Sequence, residues 1–374
     1  MTKNKFSITT QQWVYLLISI IVVSVCISKA NAIYSLCLLP FVFSVFLNKW
    51  SWKQCLFLLT AISGFAILNS LINFPLTLGW INKILTQQTN FYYVRWLAIN
   101  RISYLYPNNE ASFIKLLILN YKDQNVWDIY KQINNLSIGF MFVVSGYHIN
   151  LLLNLLTFIF FLRRKKKVKK VVSLIFGVIY GYFLGFSIGI IRIILNITLN
   201  LLFKVKDNLK INAVSGCMIA FLFIKESSNY GFIMTFVCSI FINLLVGKIK
   251  NKLFFAIIIN FGCLLLTLPL VLSISNKINI FAIFLNYLYS PLIPLLFFWL
   301  LITCWISPLS TTNIWIIDNI LHLIRINNYI SNYLYIRNAG SLVFSIYYFA
   351  TNFGLVFYFN KLKNQENKLF LYKK

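Results

Sequence analysis

Residues Leu136 to Lys170 read LSIGFMFVVSGYHINLLLNLLTFIFFLRRKKKVKK. A run of about 25 apolar or amide residues, enough to cross a hydrocarbon core about 30 Å thick, meets seven basic residues in the eight positions from Arg163 to Lys170. Both features describe a transmembrane helix that ends on the cytoplasmic side. His148 is one of two histidines in the chain, and polar groups at membrane depth are retained where they face a bundle interior, a partner or a water-filled path. At about 3.6 residues per turn, Ser145 and His148 share one face while Tyr147, Asn150 and Asn154 share the opposite one. Two polar stripes suit a helix set between two protein surfaces, or one that lines a path.

Composition extends this reading to the whole chain. Of its 374 residues 60% are hydrophobic, 18% aromatic and 11% charged, with a mean hydropathy of +0.78. Soluble domains carry about 25% charged residues, so the chain is expected to be an all-α polytopic bundle of about ten or eleven spans with broken or re-entrant helices. Lys and Arg outnumber Asp and Glu by 34 to 7, a formal charge of +27. Cytoplasmic enrichment of Lys and Arg accounts for part of this excess, and the remainder suits a polyanionic substrate or anionic lipid. The seven cysteines form no CxxC pair, and two histidines with seven scattered acids make no ligand cluster. No metal and no cofactor are expected.

Basic residues order the spans. Lys3, Lys5, Lys49 and Lys53 hold the amino terminus and the second loop inside, with helices at Trp13 to Ser28, Ile33 to Asn48 and Leu56 to Ile72. The chain then divides into 1–74, the N-terminal transmembrane helices; 75–137, an extracytoplasmic or interfacial segment; and 138–374, a membrane core with a basic cytoplasmic tail. In the middle segment FYYVRWLAINRISYLY (Phe91 to Tyr106) interleaves arginine with aromatics, which is suited to base stacking but favours a helix lying in the interface. Val171 to Phe203 is too long for one straight span, and a break near Gly185 to Ser187 is expected. Gly177, Gly181, Gly185 and Gly189 recur every four residues and mark a helix-packing groove. On a continuous helix the same period carries on through Arg192, Asn196 and Asn200. Pro291 and Pro294 predict a kink or a break that frees carbonyls near Asn286. Asn313 to Tyr335 reads as an amphipathic interfacial helix in which Asp318 and His322, spaced i, i+4, can pair. Leu342 to Asn360 is the last span.

Several of these stretches resemble one family. VVSGYHINLLLNLL is similar to the signature of the ComEC family of competence membrane proteins, in which an apolar pair precedes Ser-Gly, an apolar residue, His and a leucine-rich run. The family's further histidine five residues before the serine is Phe140 here, so no role is carried over for it. GFSIGIIRIIL resembles the family's glycine- and serine-rich helix with its embedded arginine. NYGFIMTF is similar to a Gly-Phe-Gln-Leu-Ser-Phe segment, with Ile233 and Thr235 in place of Gln and Ser. Asn286 and Pro291 match the family's Asn and Pro five residues apart. The resemblance covers roughly Glu110 to Asn360. It implies a multi-pass cell-membrane protein that conducts single-stranded DNA into the cytoplasm during transformation, with Ser145, Gly146, His148, Arg192, Asn196, Asn286 and Pro291 lining the path. Expected partners are single-stranded DNA and the bilayer, a separate DNA receptor, nuclease and ATP-driven motor, and further copies of the chain.

Other functions make different demands on the sequence. A transporter of a small anionic or lipid-linked substrate, or a structural membrane subunit, would use the same polar residues. An intramembrane serine hydrolase would pair Ser145 with His148, but the span contains no acid to orient the imidazole. No GxxxxGK[ST] loop occurs, so the chain carries no P-loop of its own. The chain is therefore not expected to be an enzyme. With all native cysteines replaced, Asn109→Cys should react with a membrane-impermeant maleimide on intact cells and Lys166→Cys should not. The reverse pattern would overturn the topology.

Overall fold

The computed structural model describes residues 8–47, 50–71, 90–121, 123–136, 138–139, 152, 166–203, 207–275, 277–331, 333–335 and 341–371. Numbered in chain order over these residues, the helices begin with α1 Thr10–Ser28, α2 Leu39–Leu47, α3 Trp52–Leu71, α4 Asn90–Leu105, α5 Asn108–Leu119, α6 Val126–Asn135 and α7 Lys166–Leu184. They continue with α8 Ile188–Phe203, α9 Asn208–Leu222, α10 Tyr230–Leu245, α11 Lys252–Ser275, α12 Ala282–Thr303, α13 Ser310–Ile330 and α14 Ser341–Leu371. The β structure among the described residues is one antiparallel ladder, β1 Lys277–Asn279 against β2 Tyr333–Tyr335, with Ile278 opposite Leu334.

Five described helices are long and apolar enough to cross a membrane, at Thr10–Ser28, Trp52–Leu71, Leu253–Leu272, Phe284–Thr303 and Ser341–Phe359. Counting α8 and α9 together as one more gives six. This is the all-α polytopic architecture that the composition implies. Most of the central stretch from Leu136 to Lys170, with any crossing it makes, lies outside the described residues. The expected span Ile33 to Asn48 is shorter than a crossing: a 3-10 helix over Ala32–Leu38 leads into the nine-residue α2. Pro40, the second residue of α2, has no N–H to give to a helix continuing from upstream.

By contacts the chain forms two units, one of residues 1–77, 205–246 and 338–374 and the other of 78–204 and 247–337. In the first, α1 starts at a capping box: Thr9 Oγ1 accepts from Gln12 N (3.3 Å) and Gln12 Oε1 from Thr9 N (2.8 Å). The buried Tyr15 stacks on Phe41 (4.5 Å between centroids) and meets Phe359 edge-on (6.0 Å), joining α1, α2 and α14. Small residues and hydroxyls bring the other helices in. Ser24 lies 2.6 Å from Ser227, and Asn352 Nδ2 donates to the Cys37 carbonyl (2.8 Å). Gly216 of α9 sits where an added Cβ would come within 2.6 Å of Leu17 Cδ2 and 2.8 Å of Phe236 Cε1.

The second unit is built on α5, whose residues from Glu110 to Leu119 are all buried. Phe113, Ile114 and Leu117 pack in one cluster with Leu285, Tyr289 and Ile293 of α12, Ile317 and Ile324 of α13, and Ile129 and Ile133 of α6. The carboxy-terminal carbonyls of α5 find long-range donors: Tyr180 OH for Ile118 O (3.2 Å) and an Arg95 guanidinium nitrogen for Leu119 O (3.3 Å). Asn120 closes the helix in the left-handed region (φ 49°). Further along, Trp299 Nε1 donates to Asn313 Oδ1 (2.8 Å) and Asn313 Nδ2 to Tyr106 OH (2.9 Å), fastening α12 and α13 to the end of α4.

The expected break falls between α7 and α8, where Gly185 (φ 72°) makes the turn. The four glycines therefore do not lie on one continuous helix. Gly177 faces Ile194, and Gly181 faces Ile190 and Phe186, so α7 receives α8 against its small residues while Gly185 serves the turn. At Pro291 and Pro294 α12 is unbroken, because neighbouring helices pack the segment on both sides of the prolines.

These contacts separate two kinds of glycine. Gly216→Ala should lower stability by about 1–3 kcal/mol, because Leu17 is fully buried and has nowhere to move. Gly354→Ala in α14, with nothing within 4 Å, should be neutral or stabilise by up to about 1 kcal/mol. Thermal unfolding in detergent reads both, and equal effects would contradict the packing.

Candidate functional site

Ser145, Gly146 and His148 lie outside the described residues. Arg192 and Asn196 stand one turn apart on α8, both half-buried in a largely apolar helix. A turn further along, Asn200 Oδ1 accepts from Lys170 Nζ of α7 (2.6 Å), which places an ammonium at that end of the same face. On α12 Asn286 is 1% exposed, and its Oδ1 has no hydrogen-bond partner among the described residues. A buried acceptor left unmet costs about 1–3 kcal/mol. Pro291 is exposed and Pro294 buried one turn later. Each removes the donor for the carbonyl four residues before it, at Tyr287 and Ser290. The amide and these carbonyls make α12 rich in acceptors over less than two turns.

A second polar group, which motif reading misses, lies where α5, α6 and α13 meet. A cavity of about 270 Å³ opens there between Arg325 of α13, Asp128 and Gln132 of α6, Asn125 just before α6, and Asn109 at the start of α5. Its floor is the buried pair Ile129 and Leu321. Beside it the carboxyls of Glu110 and Asp318 meet. Glu110 is 9% exposed; burial and a hydrogen bond to Asp318 raise its pKa above the ordinary value near 4.5, and the Arg325 charge offsets this in part. Asp318 makes no ion pair with His322, because α5 presents Glu110 to it from across the helix interface. These residues come from three separate elements, so no single stretch displays them. The available signal was spacing: Asp128 and Gln132 on α6, like Leu321 and Arg325 on α13, are four apart and share a face.

Asp123 holds the turn between α5 and α6. Its carboxylate takes Lys115 Nζ (3.2 Å), Ser112 Oγ (2.8 Å) and the Val126 amide (3.1 Å). Among the described residues no group of three or more His, Cys, Asp or Glu side chains could hold a metal ion.

A family model described as competence protein matches residues 117–361, from the last turn of α5 into α14. The chain belongs to the competence protein family. The match takes in α8 with Arg192, α12 with Asn286 and α13 with Arg325, and begins just after Lys115. An uncharacterized protein of Mycoplasma genitalium is 25% identical over 247 residues, covering 65% of this chain. The chain spans 63% of that relative's length. No solved structure matches it. Family membership and the apolar helices together make the chain a membrane protein of the competence family.

The buried acid has a measurable consequence. Because the folded protein keeps a proton on Glu110 that the unfolded chain releases, stability should fall as pH rises from the ordinary carboxylate value near 4.5 to the raised one. Glu110→Gln still offers Asp318 a donor but cannot ionise. Its melting temperature in detergent should fall less than wild type's between about pH 5 and pH 8. Parallel slopes for the two proteins would remove Glu110 as the source.

Proposed function

We propose that this protein conducts single-stranded DNA across the cell membrane into the cytoplasm during transformation. The observation that carries the reading is the competence-family match over residues 117–361. Polar side chains within apolar helices support it. Arg192 and Asn196 on α8 and Asn286 on α12 supply a guanidinium and amides at membrane depth, where such groups face an interior path or a partner. The excess of 34 basic over 7 acidic residues suits a polyanion. Lining a path requires no nucleophile, so in this reading the protein is a conduit without catalytic chemistry. A separate receptor delivers the DNA, a separate nuclease degrades the other strand, a separate motor hydrolyses ATP, and several copies of the chain assemble.

The test is uptake of labelled double-stranded DNA in a deletion strain, scored as label protected from external nuclease. Deletion should abolish protection and the wild-type gene restore it. Arg192→Gln should reduce it at least tenfold at normal expression, and Arg192→Lys less, since lysine keeps the charge but loses the planar fork that grips phosphate. Ser145→Ala should be tolerated and Ser145→Leu not, the order expected of a side chain that lines a path. A nucleophile would show the opposite sensitivity, with loss by orders of magnitude on Ser145→Ala. Full uptake without the gene would end the conduit reading, and Ser145→Ala inactivation with labelling by a fluorophosphonate would replace it with a hydrolase.

A further inference from the structure

The cavity between α5, α6 and α13 has the chemistry of a ligand site. Arg325 and Asp128 carry opposite charges on its wall, yet they form no ion pair or hydrogen bond with each other or with any other described residue. Asn109, Asn125 and Gln132 add carboxamides, each offering a donor and an acceptor edge. Asn125 stands at the cap position of α6 without spending its side chain on the cap. Below them Ile129 and Leu321 form an apolar floor. A fitting ligand has an anionic end for the guanidinium fork, a flat apolar face for the floor, and an edge bearing an amine that Asp128 and the amides can read.

We propose that this cavity holds one nucleotide of a DNA single strand, with its phosphate on Arg325 and an amino-bearing base edge on Asp128. The proposal rests on the DNA-conducting reading for the identity of the polymer; the cavity supplies the site. At about 270 Å³ the cavity is open to the surface and at or just below the small end of ligand pockets, about 300–1,000 Å³, a size that suits one nucleotide. Three carboxylates near Arg325 would repel a phosphate if all were ionised. Burial and the contact with Asp318 raise the pKa of Glu110 and so favour its uncharged form, which lessens that repulsion. A carboxylate accepts from the exocyclic amine of cytosine, and thymine has no such amine, so the site should tell the two apart.

The experiment is fluorescence anisotropy of the purified full-length protein in nanodiscs with labelled ten-nucleotide oligo-dC and oligo-dT. Wild type should bind oligo-dC about tenfold tighter, the lower part of the range for one well-made base contact. Asp128→Asn should abolish that preference, and Arg325→Gln should weaken both oligonucleotides about tenfold and reduce the salt dependence by about one phosphate. Melting temperatures equal to wild type show that each variant is folded. Lys225→Gln, an exposed charge in the other unit, should change neither. Equal binding of the two oligonucleotides by wild type would overturn the site, as would a loss with Lys225→Gln matching that with Arg325→Gln. Free dCMP binding as tightly as oligo-dC would overturn the strand as ligand. If oligo-dC is not preferred while the deletion strain still loses uptake, this inference fails and the conduit stands. If the preference holds while uptake survives deletion, the conduit fails and the site stands.

Discussion

Lys115 and Asp123 form an ion pair at 3.2 Å with side chains 9% and 19% exposed, and much of the second unit follows from the need to make it. Lys115 lies in the middle of a helix with ten consecutive buried residues. An ammonium there is tolerable only with a carboxylate at hand, and the turn after Asn120 brings Asp123 back to supply one. The same carboxylate takes the Ser112 hydroxyl and the Val126 amide, so the group that neutralises α5 also starts α6. A pair of this kind contributes little net stability, while loss of one partner costs about 3–5 kcal/mol when burial is complete and less at this exposure. It therefore acts chiefly as a register pin. It sets where α6 lies on α5, and the cavity mouth depends on that placement.

The first unit is held differently. Apolar surface drives association weakly where lipid tails replace water, so close approach and internal hydrogen bonds carry more of the task. Gly216 lets α9 meet α1 at Leu17, Ser24 meets Ser227, and Asn352 reaches the Cys37 carbonyl. Tyr15 adds aromatic contacts in two geometries, stacked on Phe41 and edge-on to Phe359. None of these contacts joins residues close together in the chain: Ser24 and Ser227 are 203 positions apart, and Cys37 and Asn352 are 315.

That separation explains what the sequence revealed and what it withheld. Hydropathy located α1, α3 and the apolar part of α14 to within a few residues, because span length and apolar content are local properties. The turn at Gly185 was legible because a run longer than the bilayer has to break, and a glycine can adopt positive φ. The burial of α5 was not legible. Glu110, Ser112 and Lys115 have no helical period that marks an inside face, and their partners Asp318 and Asp123 lie on other elements. Asp318 and His322 illustrate the converse: i, i+4 spacing gives two groups the chance to pair but says nothing of a third group that packs closer. At Pro291 the sequence located the missing donor, whereas continuity of α12 depends on neighbours that a single stretch cannot specify.

The distribution of the acids narrows where the basic excess can act. Asp123 is engaged at the head of α6, and Glu110 and Asp318 hold each other. Asp207 caps α9 through the Leu209 and Lys210 amides and takes the Thr10 hydroxyl, and Glu226 accepts from Asn229. Five of the acids are thus spent on folding, and one of them, Asp123, pairs with Lys115. Seven acids cannot neutralise 34 basic residues, so most of the positive charge is left for headgroups or for a polyanion. Asp128 is the exception among these acids, since it caps nothing and pairs with nothing described, although Arg325 stands on the wall of the same cavity. In a chain so short of acids, Asp128 in the first turn of α6 and Arg325 on the same cavity wall place two signs of charge where one ligand can meet both.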